Sequence, residues 1–137
     1  MGVLNDNLQV MWPDHCVQGT NGVRFHDELD THLFDLIVQK GTDPSVDSYS
    51  GFKDNDGLNE TLLAELLKEN DIEEVYITGL ATDYCVGFTA NDAIDEGFKT
   101  FLVMDAIKGV APDTTKAMLD AYVGNAVLSK DLLKVLE

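Results

Sequence analysis

The sequence predicts an α/β fold: a parallel sheet with helices on both faces, in three layers. Three observations predict it. Short apolar, β-capable runs alternate with stretches of helical spacing, strand after helix after strand. The composition, 45% hydrophobic and 25% charged with three prolines, is that of a folded chain rather than a disordered one. The length, 137 residues, gives room for one core, so residues 1–137 are expected to form a single domain.

Taken in order, residues 1–9 show no clear period and read as loop. Trp12-Pro13-Asp14-His15-Cys16 and the glycine-bearing stretch after it read as more loop. Residues 34–38 form an apolar run that ends at Gln39-Lys40-Gly41, which suits a buried strand. Residues 42–57 are polar and contain Pro44, Gly51 and Gly57; a loop of this length in a small domain is more often functional than idle. Leu58, Leu62, Leu63, Leu66 and Leu67 then fall at helical spacing, with Glu60, Glu65, Lys68 and Glu69 opposite, so a core-facing helix is expected there. Residues 75–80 are the next strand. A helix starts near Thr82 or Asp83 and ends at Gly97, a residue suited to the left-handed position that closes a helix. Residues 101–104 form a strand, Pro112 opens a helix, residues 126–128 form the last strand, and a helical tail follows. In such a unit functional groups collect at the carboxyl ends of the strands. Three segments are expected at that edge: Lys40 with its loop, residues 80–85 and residues 105–109.

Charge and motifs exclude several functions. Nine Lys and Arg against 25 Asp and Glu leave a formal charge of −16, which repels phosphate backbones and anionic lipid heads. Nucleic acid and membrane surfaces are therefore poor partners. No apolar run approaches the roughly 20 residues that span a bilayer. There is also no basic-then-apolar leader pattern, and Cys16 and Cys85 lie far apart, so free thiols in a reducing cytoplasm are expected. Neither GxGxxG nor GxxxxGK(S/T) occurs. Asp54-Asn55-Asp56-Gly57 suggests a calcium loop, but the EF-hand positions for the first ligand and the glutamate hold Phe52 and Leu63.

Cys85 is the most informative residue. It sits in a strand-to-helix turn, where unpaired N–H groups and the helix dipole favour a thiolate and can cradle an oxyanion. Position alone leaves two readings open, a nucleophile or the small buried hydrophobe that most free cysteines are. Lys40 faces the same edge, either as a lysine whose head reaches water or as a group that stabilises a thiolate. His15 beside Cys16 invites a metal or a Cys–His pair, yet no second ligand stands at a standard spacing, and His26 and His32 are scattered.

Three stretches, WPDHCVQGT from Trp12, KGTDPSVDSYSGF from Lys40 and GLATDYCV from Gly79, resemble the nicotinamidases of the isochorismatase-like cysteine hydrolase superfamily, and Asn91-Asp92-Ala93 and Gly97-Phe98 continue the match in register. The resemblance implies hydrolysis of nicotinamide to nicotinate and ammonia, a step of NAD salvage, through a thioester on Cys85. It implies that Lys40 is the lysine of an Asp–Lys–Cys triad. The amides of Ala81 and Cys85 would form the oxyanion hole, after a cis peptide between Leu80 and Ala81. Trp12 and Tyr49 would be aromatic walls of the pyridine pocket, with Leu80 a further substrate contact. His15 would be one ligand of a divalent metal (zinc, iron or manganese).

The resemblance also implies what is missing. The family begins with a strand ending in the general-base aspartate, and a second strand supplies further metal ligands; neither is in this sequence. The family sheet runs 3-2-1-4-5-6, so the two central strands are expected to be absent, with the Lys40 strand third and the residue-75 strand fourth. One metal ligand of four remains. The chain is expected to be an N-terminally truncated form of the domain, inactive or nearly so by itself, which closes the gap, takes strands from a second copy or a complementing chain, or misfolds. The other readings are a non-catalytic remnant or partner subunit, and another amidase of the superfamily.

Overall fold

Residues 1–4 and 7–137 are described by a computed structural model, in which two units are distinguished, Met1–Ile37 and Val38–Glu137. In the first unit, β1 (Gly2–Leu4) and β2 (Asn7–Gln9) pair antiparallel, with Val3 opposite Leu8. This corrects the loop expected over residues 1–9. Strands of three residues are too short to show a period of two, and residues 5 and 6 between them lie outside the described residues. Short 3₁₀ turns follow at Asn21–Val23 and Thr31–Leu33, the second capped by Asp30, whose carboxylate accepts from the His32 amide at 3.1 Å.

The strand expected at residues 34–38 does not form. An apolar run becomes a strand only where a neighbour takes its amides and carbonyls, and none of the described strands pairs with it. Leu36 and Ile37 are exposed, and Phe34 instead packs edge-on against Phe25, with ring centroids 5.3 Å apart. Lys40 therefore follows irregular backbone rather than closing a buried strand.

The second unit is built on a parallel sheet. β3 (Glu74–Leu80), β4 (Lys99–Lys108) and β5 (Asn125–Val127) lie in that order, and helices intervene between them as the alternation predicts. The consecutive residues Leu102 and Val103 point to opposite faces of β4, yet their exposures are 0% and 2%. The central strand is thus covered on both sides, the signature of a layered α/β sheet.

Two apolar clusters hold the layers. In one, Phe52, Ala93 and Phe98 meet Leu63, Ala64, Leu67, Val75 and Ile77. In the other, Val86, Ala90 and Leu102 meet Ile107, Leu119 and Tyr122. α1 (Leu63–Glu69) is shorter than the leucine spacing predicts. The Thr61 amide donates to the Phe52 carbonyl at 2.8 Å, and the Thr61 hydroxyl accepts from the Leu63 amide at 3.2 Å. Residues 58–62 are thereby held by the preceding loop, and Leu58 and Leu62 point to water instead of the core.

α2 (Gly87–Asp95) ends as expected: Gly97 has φ +93°, and the amides of Gly97 and Phe98 return to the carbonyls of Ile94 and Ala93 at 3.0 Å. α3 (Pro112–Ala121) opens with proline in its first turn. α4 (Ser129–Leu136) is tied to β4 by the Asp105 carboxylate, which accepts from the Ser129 amide at 2.8 Å and its hydroxyl at 2.5 Å. Among the described residues, no helix is long and apolar enough to cross a membrane.

Candidate active site

β3 delivers the chain to the carboxyl edge of the sheet at Leu80, and the Leu80–Ala81 peptide is cis, as the family resemblance implies. Thr82–Val86 then makes a wide π-helical turn that runs directly into α2. The Ala81 carbonyl accepts from two amides of this turn, those of Tyr84 and Val86, each at 3.0 Å. Between these two residues sits the half-buried Cys85, which like the exposed Cys16 is a free thiol. Gly87 is required where the turn meets the helix, because a Cβ there would lie 2.6 Å from the Thr82 carbonyl oxygen.

Sequence reasoning missed the group that anchors this turn. Asp83 is buried, and its carboxylate accepts from the amides of Val110 (2.9 Å) and Ala111 (3.1 Å) and from the Thr114 hydroxyl (2.6 Å). It thereby ties the turn to the two residues that lead into α3 and to the Thr114 side chain of that helix's first turn, 27 to 31 residues away in the chain. Burial by itself raises the Asp83 carboxyl. The hydrogen bonds from Thr114, Val110, Ala111 and its own backbone amide outweigh burial and hold it below the ordinary aspartate range. The one signal was Asp83 itself, a carboxylate placed in the first turn after a strand, where it must find donors once it is buried.

The structure brings Lys40 to Cys85. The Lys40 ammonium donates to the Ser48 carbonyl at 2.5 Å and stands 3.6 Å from Cys85 Sγ. The long loop expected at residues 42–57 is well packed: Ser48, Tyr49, Ser50, Phe52 and Asp54 are all buried. The Tyr49 ring is gripped edge-on by Tyr84 at 5.3 Å and Phe88 at 5.1 Å. Leu80 is exposed and Ala81 half-buried.

Trp12 and His15 belong to the first unit, where Trp12 is half-buried and His15 exposed. His15 Nδ1 donates to the Pro13 carbonyl at 2.7 Å, which leaves Nε2 as the atom that could hold a metal, an arrangement common for metal-binding histidines. It stands as a single ligand. Among the described residues no three His, Cys, Asp or Glu side chains converge to hold an ion, so those present do not fit a metal centre by themselves.

The fold is that of a layered α/β protein with a parallel sheet, and a free thiol stands beside an ammonium at the carboxyl edge of that sheet. The sequence pattern of the Isochorismatase domain matches residues 3–131, and the chain belongs to that family. Among curated proteins it is similar to the nicotinamidase of Acinetobacter baylyi, with 46% identity over 102 residues, 74% of this chain and 48% of that one. It is also similar to the nicotinamidase of Escherichia coli, with 38% identity over 130 residues, 93% of this chain and 61% of that one. Among solved structures, a nicotinamidase/pyrazinamidase of Acinetobacter baumanii superposes with a TM-score of 0.86 at 40% identity, covering 94% of this chain and 64% of that one. A pyrazinamidase of Pyrococcus horikoshii in complex with zinc gives 0.74 at 37% identity, with coverages of 86% and 63%. A protein of L. infantum in complex with nicotinate gives 0.81 at 35% identity, with coverages of 88% and 62%. The chain thus spans about half to two thirds of the length of these relatives.

Proposed function

We propose that this chain carries the nucleophile half of a nicotinamidase-type amide hydrolase. The 3.6 Å approach of the Lys40 ammonium to Cys85 Sγ carries the reading, because it distinguishes a poised thiol from a merely buried one. In the proposed reaction Sγ attacks the carboxamide carbon of nicotinamide, a C–S bond forms, the C–N bond breaks, and the thiol proton leaves with ammonia. Water then cleaves the thioester, releasing nicotinate and restoring the thiol. Lys40 holds negative charge at sulfur, and the amides of Ala81 and Cys85 receive the developing oxyanion. Tyr49 and Leu80 contact the pyridine ring, and Trp12 and His15 enter the proposal through their shared motif alone. No step is drawn through a metal, since the described residues do not complete a site for one.

A general base is the remaining requirement. Among the described residues no carboxylate forms an ion pair with Lys40. Loss of a base costs about 10²–10⁴ in rate, so the 137-residue chain by itself is expected to release little or no ammonia. The test is ammonia release from nicotinamide, with zinc, iron or manganese added and Cys85→Ala as control. Ammonia that disappears in the control would establish the amidase and show that a base exists within this chain. No ammonia from the chain, followed by activity when the N-terminal portion of a relative is added, would support the reading as stated. Silence in both arms would sink it in favour of a non-catalytic role.

A further inference from the structure

We propose that Thr89 is a positioning residue that sets the distance between the Lys40 ammonium and the Cys85 thiol. The inference rests on the reading of Cys85 as nucleophile and goes beyond it to a residue one helical turn away. The Thr89 hydroxyl donates to the Cys85 carbonyl at 2.6 Å, a bond that threonine commonly makes to the turn before it in a helix. The same oxygen accepts from the Gly51 amide at 2.9 Å, and Gly51 is 38 residues away. That second bond is tertiary, and no local preference accounts for it.

Its consequence follows along the chain. Gly51 lies three residues after Ser48, whose carbonyl holds the Lys40 ammonium at 2.5 Å, and the ammonium stands 3.6 Å from Cys85 Sγ. The connections close a circuit that runs from the Cys85 carbonyl through Thr89, Gly51, Ser48 and Lys40 back to the Cys85 sulfur. Gly51 is fixed from its other side as well. Its carbonyl accepts from the Thr61 hydroxyl at 2.6 Å, and a Cβ at this position would approach Leu63 Cδ2 to 3.3 Å. The Ser48–Phe52 segment is thus held on one side by Thr61, and Thr89 links it by hydrogen bonds to the Cys85 carbonyl on the other. A hydroxyl is needed at position 89 because it donates and accepts at once. Valine fills the same volume and does neither.

The experiment is the rate at which iodoacetamide alkylates Cys85 in the full chain with Cys16→Ser, so that one thiol reports, with folding checked by circular dichroism. Thr89→Val is expected to slow alkylation about tenfold through loss of the hydrogen bonds, while Thr89→Ser stays within about twofold of the parent. Lys40→Met is expected to slow it similarly, and the double variant Lys40→Met/Thr89→Val should be no slower than Lys40→Met, because the two act through one contact. If valine at 89 unfolds the chain, Thr89→Ala replaces it in the same comparison. A parental rate in the hydroxyl-less variant, an equally slow Thr89→Ser, or additivity in the double variant would each overturn the role of Thr89 and leave Cys85 as the nucleophile. A parental rate in Lys40→Met would overturn the Lys40–Cys85 pairing itself, and the role of Thr89 with it.

Discussion

The two sides of the site are built differently. On the cysteine side, the turn is continuous with β3 and α2, its Asp83 is buried, and three hydrogen bonds fasten it to the start of α3. On the lysine side, Lys40 is exposed on backbone that pairs with none of the described strands, and its ammonium is held by the Ser48 carbonyl beside the Cys85 thiol. The place of Cys85 is thus a property of the fold, whereas the place of the Lys40 ammonium is set by a few bonds at the tip of a flexible side chain. A substitution on the first side should cost stability, and one on the second should cost reactivity with the fold intact.

The comparison can be broken from its strongest point downward. Leu102→Ala, in the cluster beneath the turn, should destabilise by about 2–5 kcal/mol, read by urea unfolding; a smaller loss would mean that the cluster collapses to fill the gap. Asp83→Ala should cost about 2–3 kcal/mol, since it strands the amides of Val110 and Ala111 and the Thr114 hydroxyl. The Asp83 carboxyl also predicts a pH dependence. Its pKa is lowered by folding, so its contribution is complete above the unfolded value of about 3.9 and is lost as pH falls through the lower folded value. Unfolding midpoints of the parent should therefore fall more steeply below about pH 4 than those of Asp83→Asn. Parallel curves would assign the acid sensitivity to other carboxylates. Lys40→Met should change stability by no more than about 0.5 kcal/mol, as expected for an exposed side chain. A large loss there would show that the lysine is structural and would erase the distinction between the two sides.

From residue 75 onward the sequence announces its structure. The runs at 75–80 and 101–104, Gly97 after a helix and Pro112 before one are local signals, and local bonding realises them. The failures lie where a neighbour decides. Residues 34–38 have strand composition but no strand beside them, and Leu58 and Leu62 keep a helical spacing that the bonds of Thr61 override. The site divides in the same way. Cys85 and Lys40 are legible because their residue types and motifs advertise chemistry. Asp83 and Thr89 are not, because each acts on a partner tens of residues distant, and nothing in their own segment shows it.

The bridge from Asp83 to α3 also governs how the protein breathes. Proteins open in cooperative pieces, and binding loops usually belong to the pieces that open first. Here the amides of Tyr84 and Val86 share the Ala81 carbonyl, and the turn that contains them cannot lift away without releasing Val110 and Ala111, which lead into α3, and the Thr114 hydroxyl of its first turn. Hydrogen exchange at those two amides should therefore keep pace with exchange in α3. The cysteine then loses its setting when that part of the molecule melts, and not before.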